Sequence, residues 1–145
     1  MKRTIVVASL LALGVSAAIA QSNVVEQRQN LMKEMAAQTR PIGGMLRGQE
    51  AFDLAKVQSG LKVFAENPKK AASLFPESSK DAPKTEALPT IWENKAKFDS
   101  IMTKLSQDAQ TAMASIKDEA TFKAEMPKVL QNCGGCHNDF RKKSS

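Results

Sequence analysis

Two cysteines and a histidine near the C-terminus constrain this chain more than any other feature. They form the sequence Cys133-Gly134-Gly135-Cys136-His137. The pattern C-x-x-C-H is typical of covalent attachment of c-type haem. The two thiols can add to the two vinyl groups on one edge of the porphyrin, and the histidine can then bind the iron. The motif therefore predicts haem c, its covalent anchors Cys133 and Cys136, and one axial ligand, His137.

Three other uses of the cysteine pair stay open as alternatives. A structural zinc site needs four protein ligands, mostly Cys and His, whereas the chain has two cysteines and one histidine. A carboxylate or water would have to complete such a site. A thioredoxin-like dithiol belongs near a βαβ pattern, and the sequence shows no such pattern. A plain disulfide is chemically allowed but gives the neighbouring His137 no role. Haem attachment is favoured over all three.

The N-terminal residues 1–20 are typical of a secretory signal peptide. Lys2 and Arg3 form a basic start, an apolar run follows from Ile5 to Val15, and Ala18-Ile19-Ala20 is a small-x-small cleavage site. The apolar run is too short to predict a membrane span. We therefore expect residues 21–145 to form one exported domain in the periplasm, with no membrane span. Haem attachment outside the cytoplasm agrees with export.

The charge balance narrows the range of partners and activities. Without Lys2 and Arg3, 19 basic residues face 15 acidic ones. This modest excess, with no basic stripe of interleaved aromatics, argues against nucleic-acid binding. The clusters Lys69-Lys70 and Arg141-Lys142-Lys143 are interpreted mainly as solvated surface, or as steering for an acidic redox partner. No His/Asp/Ser cluster or carboxylate pair stands out beyond the haem motif, so the chain is not expected to be an enzyme.

Apolar residues recur at helical spacing along the chain, and no alternating strand pattern is convincing. A polar, proline-containing stretch over 75–88 is predicted to be a connector. Four amphipathic helices with mostly short connections indicate an all-α fold, an antiparallel four-helix bundle. The predicted helices cover residues 23–47, 50–74, 90–116 and 119–142.

Several residues predict where these helices begin and end. Pro41 and Pro68 are expected to end or kink the first two helices, because proline lacks a backbone donor and clashes with the preceding turn. Thr90 and Glu93 are predicted to form a capping box at the start of the third helix. Asp118 is the predicted N-cap of the fourth.

The helical spacing also predicts where the haem lies. Cys133, Cys136 and His137 are at i, i+3 and i+4, so all three project from one face of the last helix. That face continues the apolar stripe of the helix. The haem is therefore expected inside the bundle core near one end, where such cofactors are common.

Further ordered motifs run the length of the chain: Arg28-Gln29-x-x-Met32-Lys33, Leu74-Phe75-Pro76, Leu88-Pro89-x-Ile91-Trp92, Lys97-Phe98 and Cys133-x-x-Cys136-His137-x-x-Phe140-Arg141. A haem motif so close to the C-terminus is unusual among c-type cytochromes. Together these features resemble the cytochrome c′ family of four-helix haem proteins, including its low-spin cytochrome c-556 relatives. The resemblance implies a proximal ligand at His137, thioethers at Cys133 and Cys136, and Arg141 one helical turn on, beside the proximal face. Homodimers through the first two helices are common in that family, so a homodimer is possible here.

The sixth coordination position separates two functional hypotheses. His137 is the only histidine, which excludes bis-histidine ligation within one chain. The resemblance places Met32 at the distal position, where methionine binds iron in some members and only packs against the haem in others. With Met32 bound, the protein is expected to be an electron carrier serving redox partner proteins. With five-coordinate iron, it would bind nitric oxide or carbon monoxide. Electron transfer is favoured, because the first helix looks closer to the low-spin relatives.

Overall fold

Four long helices form an all-α bundle in the computed structural model, which describes the backbone of residues 5–143 and the side chains of residues 23–143. The helices are α1 (Ile5–Leu46), α2 (Leu54–Ala72), the four-residue α3 (Thr90–Glu93), α4 (Lys95–Ser115) and α5 (Glu119–Phe140), with a short 3-10 helix at Glu77–Ser79. Helix α2 packs against α1 and α4, and α4 packs against α5. The predicted all-α architecture is confirmed.

The predicted signal peptide, residues 1–20, lies outside the residues whose side chains are described, so it stays a prediction. Within the described part of the chain, no helix is both long enough and apolar enough to cross a membrane.

The core consists of two apolar clusters. The larger one joins the four long helices and includes fully buried Phe64 and Phe122. The smaller one contains Phe75, Phe98 and Phe140, whose rings meet edge to face. Ring centroids are 4.7 Å apart for Phe75 and Phe98, and 5.5 Å apart for Phe98 and Phe140. Each aromatic side chain buried in this way stabilises the fold by about 1.5–3 kcal/mol. The aromatic cluster ties α4, α5 and the connector after α2 together at one end of the bundle.

Neither Pro41 nor Pro68 ends its helix, so that half of the expectation is wrong. Pro41 lies inside α1 and Pro68 lies inside α2, and each helix continues for about one more turn. An internal proline costs about 3 kcal/mol. The continuing turns bury apolar residues that offset this cost, with Ile42 and Ala71 both completely inaccessible to solvent. Tertiary packing therefore outweighs the local preference.

The predicted capping box at Thr90 and Glu93 is also wrong. Thr90 follows Pro89, which occupies the N-cap position, and its hydroxyl donates to the carbonyl of Asp139 at 2.8 Å. The helix then stops at Glu93, and Asn94 adopts a non-helical backbone before α4 begins. The predicted third helix is thus divided into two helices, α3 and α4. Its first turn, α3, is hydrogen-bonded through Thr90 to the C-terminal end of α5.

The N-cap predicted at Asp118 is confirmed. Its carboxylate accepts a hydrogen bond from the backbone N–H of Thr121 at 2.8 Å, and the Thr121 hydroxyl accepts one from the Asp118 N–H at 3.1 Å. The hydrogen bonds that the carboxylate accepts from the backbone N–H and from the hydroxyl of Thr121 lower the pKa of Asp118 below its ordinary value. Two free N–H groups of the first turn are therefore satisfied, which fixes the start of the helix that carries the haem motif.

Helices α1 and α2 approach closely at Gly60, where an added Cβ would lie 2.7 Å from Cδ1 of buried Ile42. We expect Gly60→Ala to lower the free energy of unfolding by about 1–3 kcal/mol, because overpacking outweighs the gain in helix propensity. Denaturant unfolding measures the change. Gly134→Ala is the matched control, since an added Cβ there meets nothing within 4 Å. A Gly60→Ala protein as stable as the control would contradict the close approach.

Candidate cofactor site

A cavity of about 810 Å³ opens between α1, α4, α5 and the segment before α3. Its volume falls in the range of about 300–1,000 Å³ that is usual for small-molecule and cofactor sites. Its walls are mostly apolar, with basic side chains at several places. The apolar lining includes Met32, Met35, Ala36, Phe75, Ala87, Ile91, Phe98, Ile101, Met102, Leu105 and Phe140.

The three residues of the predicted attachment motif line this cavity from α5. Cys133, Cys136 and His137 follow one face of the helix, as their spacing predicts. Both cysteines are free and partly buried. Burial raises the pKa of both thiols, and that of Cys136 rises to about 11, with smaller contributions from Cys133 and Asp139. Both sulfurs are therefore protonated at neutral pH.

The surroundings of the two cysteines argue against two other uses of the pair, a reactive dithiol and a zinc site. A reactive dithiol needs at least one thiol with a lowered pKa, whereas both values here are raised. Among the residues the structure describes, no three His, Cys, Asp or Glu side chains gather into a group that could hold a metal ion. The redox dithiol and the zinc site therefore fit this environment less well than an apolar cofactor does.

His137 presents a neutral imidazole to the cavity. Burial lowers its pKa below the ordinary value, and the positive charge of Arg141 lowers it further, while the carboxylate of Glu86 has the opposite effect. The neutral imidazole is the form that binds metal ions. The local electrostatics therefore favour the ligating state of this side chain.

The predicted distal residue, Met32, lines the same cavity from α1. It is partly buried and packs against both apolar clusters. Met35, one turn further along α1, lines the cavity as well and is almost fully buried. The structure thus brings a thioether on α1 and the imidazole of His137 on α5 to one cavity.

Arg141 lies one helical turn beyond His137, as expected, and its backbone N–H donates to the carbonyl of His137 at 3.2 Å. The helix itself ends at Phe140, two residues before the predicted end, so Arg141 is its C-cap and has an extended backbone. The helix ends there because the chain pairs with the segment before α3. Ala87 and Arg141 form an isolated antiparallel bridge. The guanidinium still lines the cavity, and its Nε lies 3.0 Å from Oε2 of Glu86.

Arg28 also lines the cavity, which its place in the motif Arg28-Gln29-x-x-Met32-Lys33 did not predict. Its side chain lines the cavity although the residue is only 4% exposed. The guanidinium donates to the carbonyl of Leu74 at 3.1 Å, the hydroxyl of Ser79 at 3.0 Å and the hydroxyl of Thr85 at 2.6 Å. It also lies 4.5 Å from the ring centroid of Phe75. The sequence feature that could have indicated this role is a positively charged residue among the apolar residues of the first helix.

Burial lowers the pKa of Arg28 below its ordinary value. Its three hydrogen bonds go to neutral oxygen atoms. An arginine keeps its charge in proteins, so the cavity contains a buried positive charge. Such a charge favours a ligand with anionic groups.

The chain is similar to known proteins of one family. The model of the cytochrome C′ family matches residues 23–141. Cytochrome c′ of Rhodopseudomonas palustris is 47% identical over 99% of this chain and 98% of its own length, and cytochrome c-556 of the same organism is 37% identical over 99% of each. A solved structure of Rhodopseudomonas palustris cytochrome c′ is similar with a TM-score of 0.82 and 48% identity, covering 84% of this chain and 98% of that one. The chain therefore belongs to the cytochrome c′ family of four-helix proteins, which bind haem c and typically attach it covalently.

Proposed function

We propose that this chain is a periplasmic electron carrier that holds haem c through Cys133 and Cys136 and binds its iron through His137 and Met32. Its partners are other redox proteins. When bound, haem c supplies an iron atom that alternates between ferric and ferrous states and so carries one electron. The observation that supports this proposal most is the placement of Met32 and His137 on different helices around one cavity.

The residues of α5 attach and orient the cofactor. Cys133 and Cys136 offer two thiols on one helical face for thioether bonds, while the neutral imidazole of His137 is in its ligating form. Covalent attachment at two points one helical turn apart holds the cofactor in a fixed orientation relative to α5. Arg28 supplies a buried positive charge for the propionate groups of the haem.

Met32 on α1 would supply the second ligand to the iron, from a different helix than His137. A methionine thioether is an uncharged axial ligand that raises the reduction potential relative to a second histidine. The part of α1 that carries Met32 is fixed to α2 by Asn67, whose side-chain amide donates to the carbonyl of Leu31 at 3.3 Å and to Glu34 at 2.8 Å. An unchanging ligand set keeps the reorganisation on electron transfer small, which suits a carrier.

Gas binding is the second candidate, and the greater similarity to cytochrome c′ than to cytochrome c-556 favours it. If Met32 only packs in the cavity, the iron has an open position. Four residues of the cavity lining, Met35, Ala36, Met102 and Leu105, offer no strong hydrogen-bond donor, although Thr39 and Arg40 on α1 line the same cavity. An open position that faces the apolar residues would suit nitric oxide or carbon monoxide better than oxygen, whose bound form is stabilised by hydrogen-bond donors.

Spectra of the holoprotein with Met32→Ala and with Met35→Ala test the proposal. Met35 is the matched control, because it lies on the same helix and lines the same cavity. We expect the wild type and Met35→Ala to show a low-spin absorption spectrum with a ferric–methionine band, and Met32→Ala to lose that band and bind carbon monoxide readily. A wild type that lacks the band and binds carbon monoxide as readily as Met32→Ala would favour the gas binder.

A further inference from the structure

A short segment before α3, residues 84–88, connects α1 with the end of α5, and we call it the strap. On one side, Nε2 of Gln29 donates to the carbonyl of Lys84 at 2.9 Å. On the other, the backbone N–H of Leu88 donates to the carbonyl of Phe140 at 2.9 Å. The strap is therefore held from both sides, at the edge of the cavity next to His137.

The strap contributes one acidic side chain to the cavity lining, that of Glu86. Its carboxylate forms the ion pair with Arg141, and its backbone carbonyl accepts a hydrogen bond from the N–H of Lys142 at 2.8 Å. Backbone hydrogen bonds thus fix the positions of Glu86 and Arg141 independently of the ion pair between their side chains. The two side chains are 60% and 42% exposed, and such a pair adds at most about 1 kcal/mol to stability. The pair therefore matters less for the stability of the fold than for the electrostatic environment of His137, which lies beside it.

We propose that Glu86 is a positioning residue for Arg141, and that the two charges shift the reduction potential of the iron in opposite directions; this rests on the proposed ligation by His137. Ferric iron carries one more positive charge than ferrous iron. A carboxylate near the proximal ligand stabilises the ferric state and lowers the potential, while a guanidinium does the reverse. Glu86, Arg141 and His137 line the same cavity, and the backbone N–H of Arg141 donates to the carbonyl of His137 at 3.2 Å, so both charges lie close to the proposed ligand.

Two substitutions of Glu86 separate its charge from its positioning role. In Glu86→Gln the side-chain carbonyl can still accept the hydrogen bond from Nε of Arg141, so only the negative charge is lost. We expect its potential to rise, with a twofold to tenfold change in the redox equilibrium constant, or about 18–59 mV. In Glu86→Ala the guanidinium is also released, so the potential should lie below that of Glu86→Gln. Arg141→Gln should lower the potential relative to wild type.

Spectroelectrochemical titration of the holoproteins measures these potentials. Glu93→Gln is the matched control, because Glu93 is exposed on the following helix and does not line the cavity. It should leave the potential unchanged. The shifts at Glu86 and Arg141 should shrink at 1 M salt, where charges are screened beyond about 3 Å. A purely structural role would alter unfolding without producing shifts of opposite sign.

Three outcomes would overturn the proposal: a Glu86→Gln potential at or below that of wild type, an Arg141→Gln potential at or above it, or equal potentials for Glu86→Gln and Glu86→Ala. These outcomes are distinct from failure of the proposed function. If His137 does not bind the iron, His137→Ala will leave the wild-type spectrum unchanged. A normal spectrum that depends on His137, with unshifted potentials, overturns the role of Glu86 alone.

Discussion

Replacing both Cys133 and Cys136 with serine is expected to abolish covalent haem attachment completely. A serine hydroxyl does not form the thioether bond, and both thiols line the same cavity on one face of α5. Haem staining after denaturing electrophoresis, together with the mass of the intact chain, measures attachment. Each single substitution leaves one thiol on that face, so we expect reduced but detectable attachment.

A control for the double cysteine variant is Gly134→Ala with Gly135→Ala. An added Cβ at either glycine meets nothing within 4 Å, and neither glycine lines the cavity, so both changes should leave attachment intact. Staining that survives in the double serine variant would contradict the proposed anchors. Stoichiometric zinc in the wild type, in place of haem, would contradict the identity of the cofactor site.

Arg28→Met is expected to lower the free energy of unfolding by about 2–4 kcal/mol. The substitution keeps an apolar stem but removes three hydrogen bonds from a charged donor, each worth about 1.5–3 kcal/mol when considered alone. It also removes the contact with the Phe75 ring, and the burial of the new apolar side chain offsets part of the loss. Denaturant unfolding of the holoprotein measures the change through its midpoint.

Arg40→Met is the matched control for Arg28→Met, because Arg40 lies on the same helix and lines the same cavity but is exposed. It should change stability by less than about 0.5 kcal/mol. Arg28→Lys keeps the charge without the planar fork of donors, so its stability should fall between those of wild type and Arg28→Met. Equal stabilities of the Arg28→Met and Arg40→Met proteins would show that the buried hydrogen bonds contribute little.

Features that depend on neighbouring residues in the chain were predictable from the sequence. Helical spacing of apolar residues indicates the bundle, and the spacing of Cys133, Cys136 and His137 places them on one face. The N-cap at Asp118 depends on Thr121, three residues away, and is therefore also local. In each case the physical cause lies within one or two helical turns.

Features that depend on distant residues were not predictable in this way. The continuation of α1 past Pro41 follows from burial against other helices, and Thr90 loses its capping role because Asp139 accepts its hydroxyl. The early end of α5 before Arg141 follows from pairing with Ala87 in the strap. Each of these contacts joins segments that come together only after the helices have packed.

The electron paramagnetic resonance spectrum of the ferric wild-type holoprotein tests most directly whether Met32 and His137 both bind the iron. Both residues line the cavity that contains the attachment motif, and two strong axial ligands give low-spin ferric iron. We expect a low-spin signal in the wild type and a high-spin signal after Met32→Ala. A high-spin ferric signal in the wild type would contradict ligation by Met32 and favour binding of a gas at the open position.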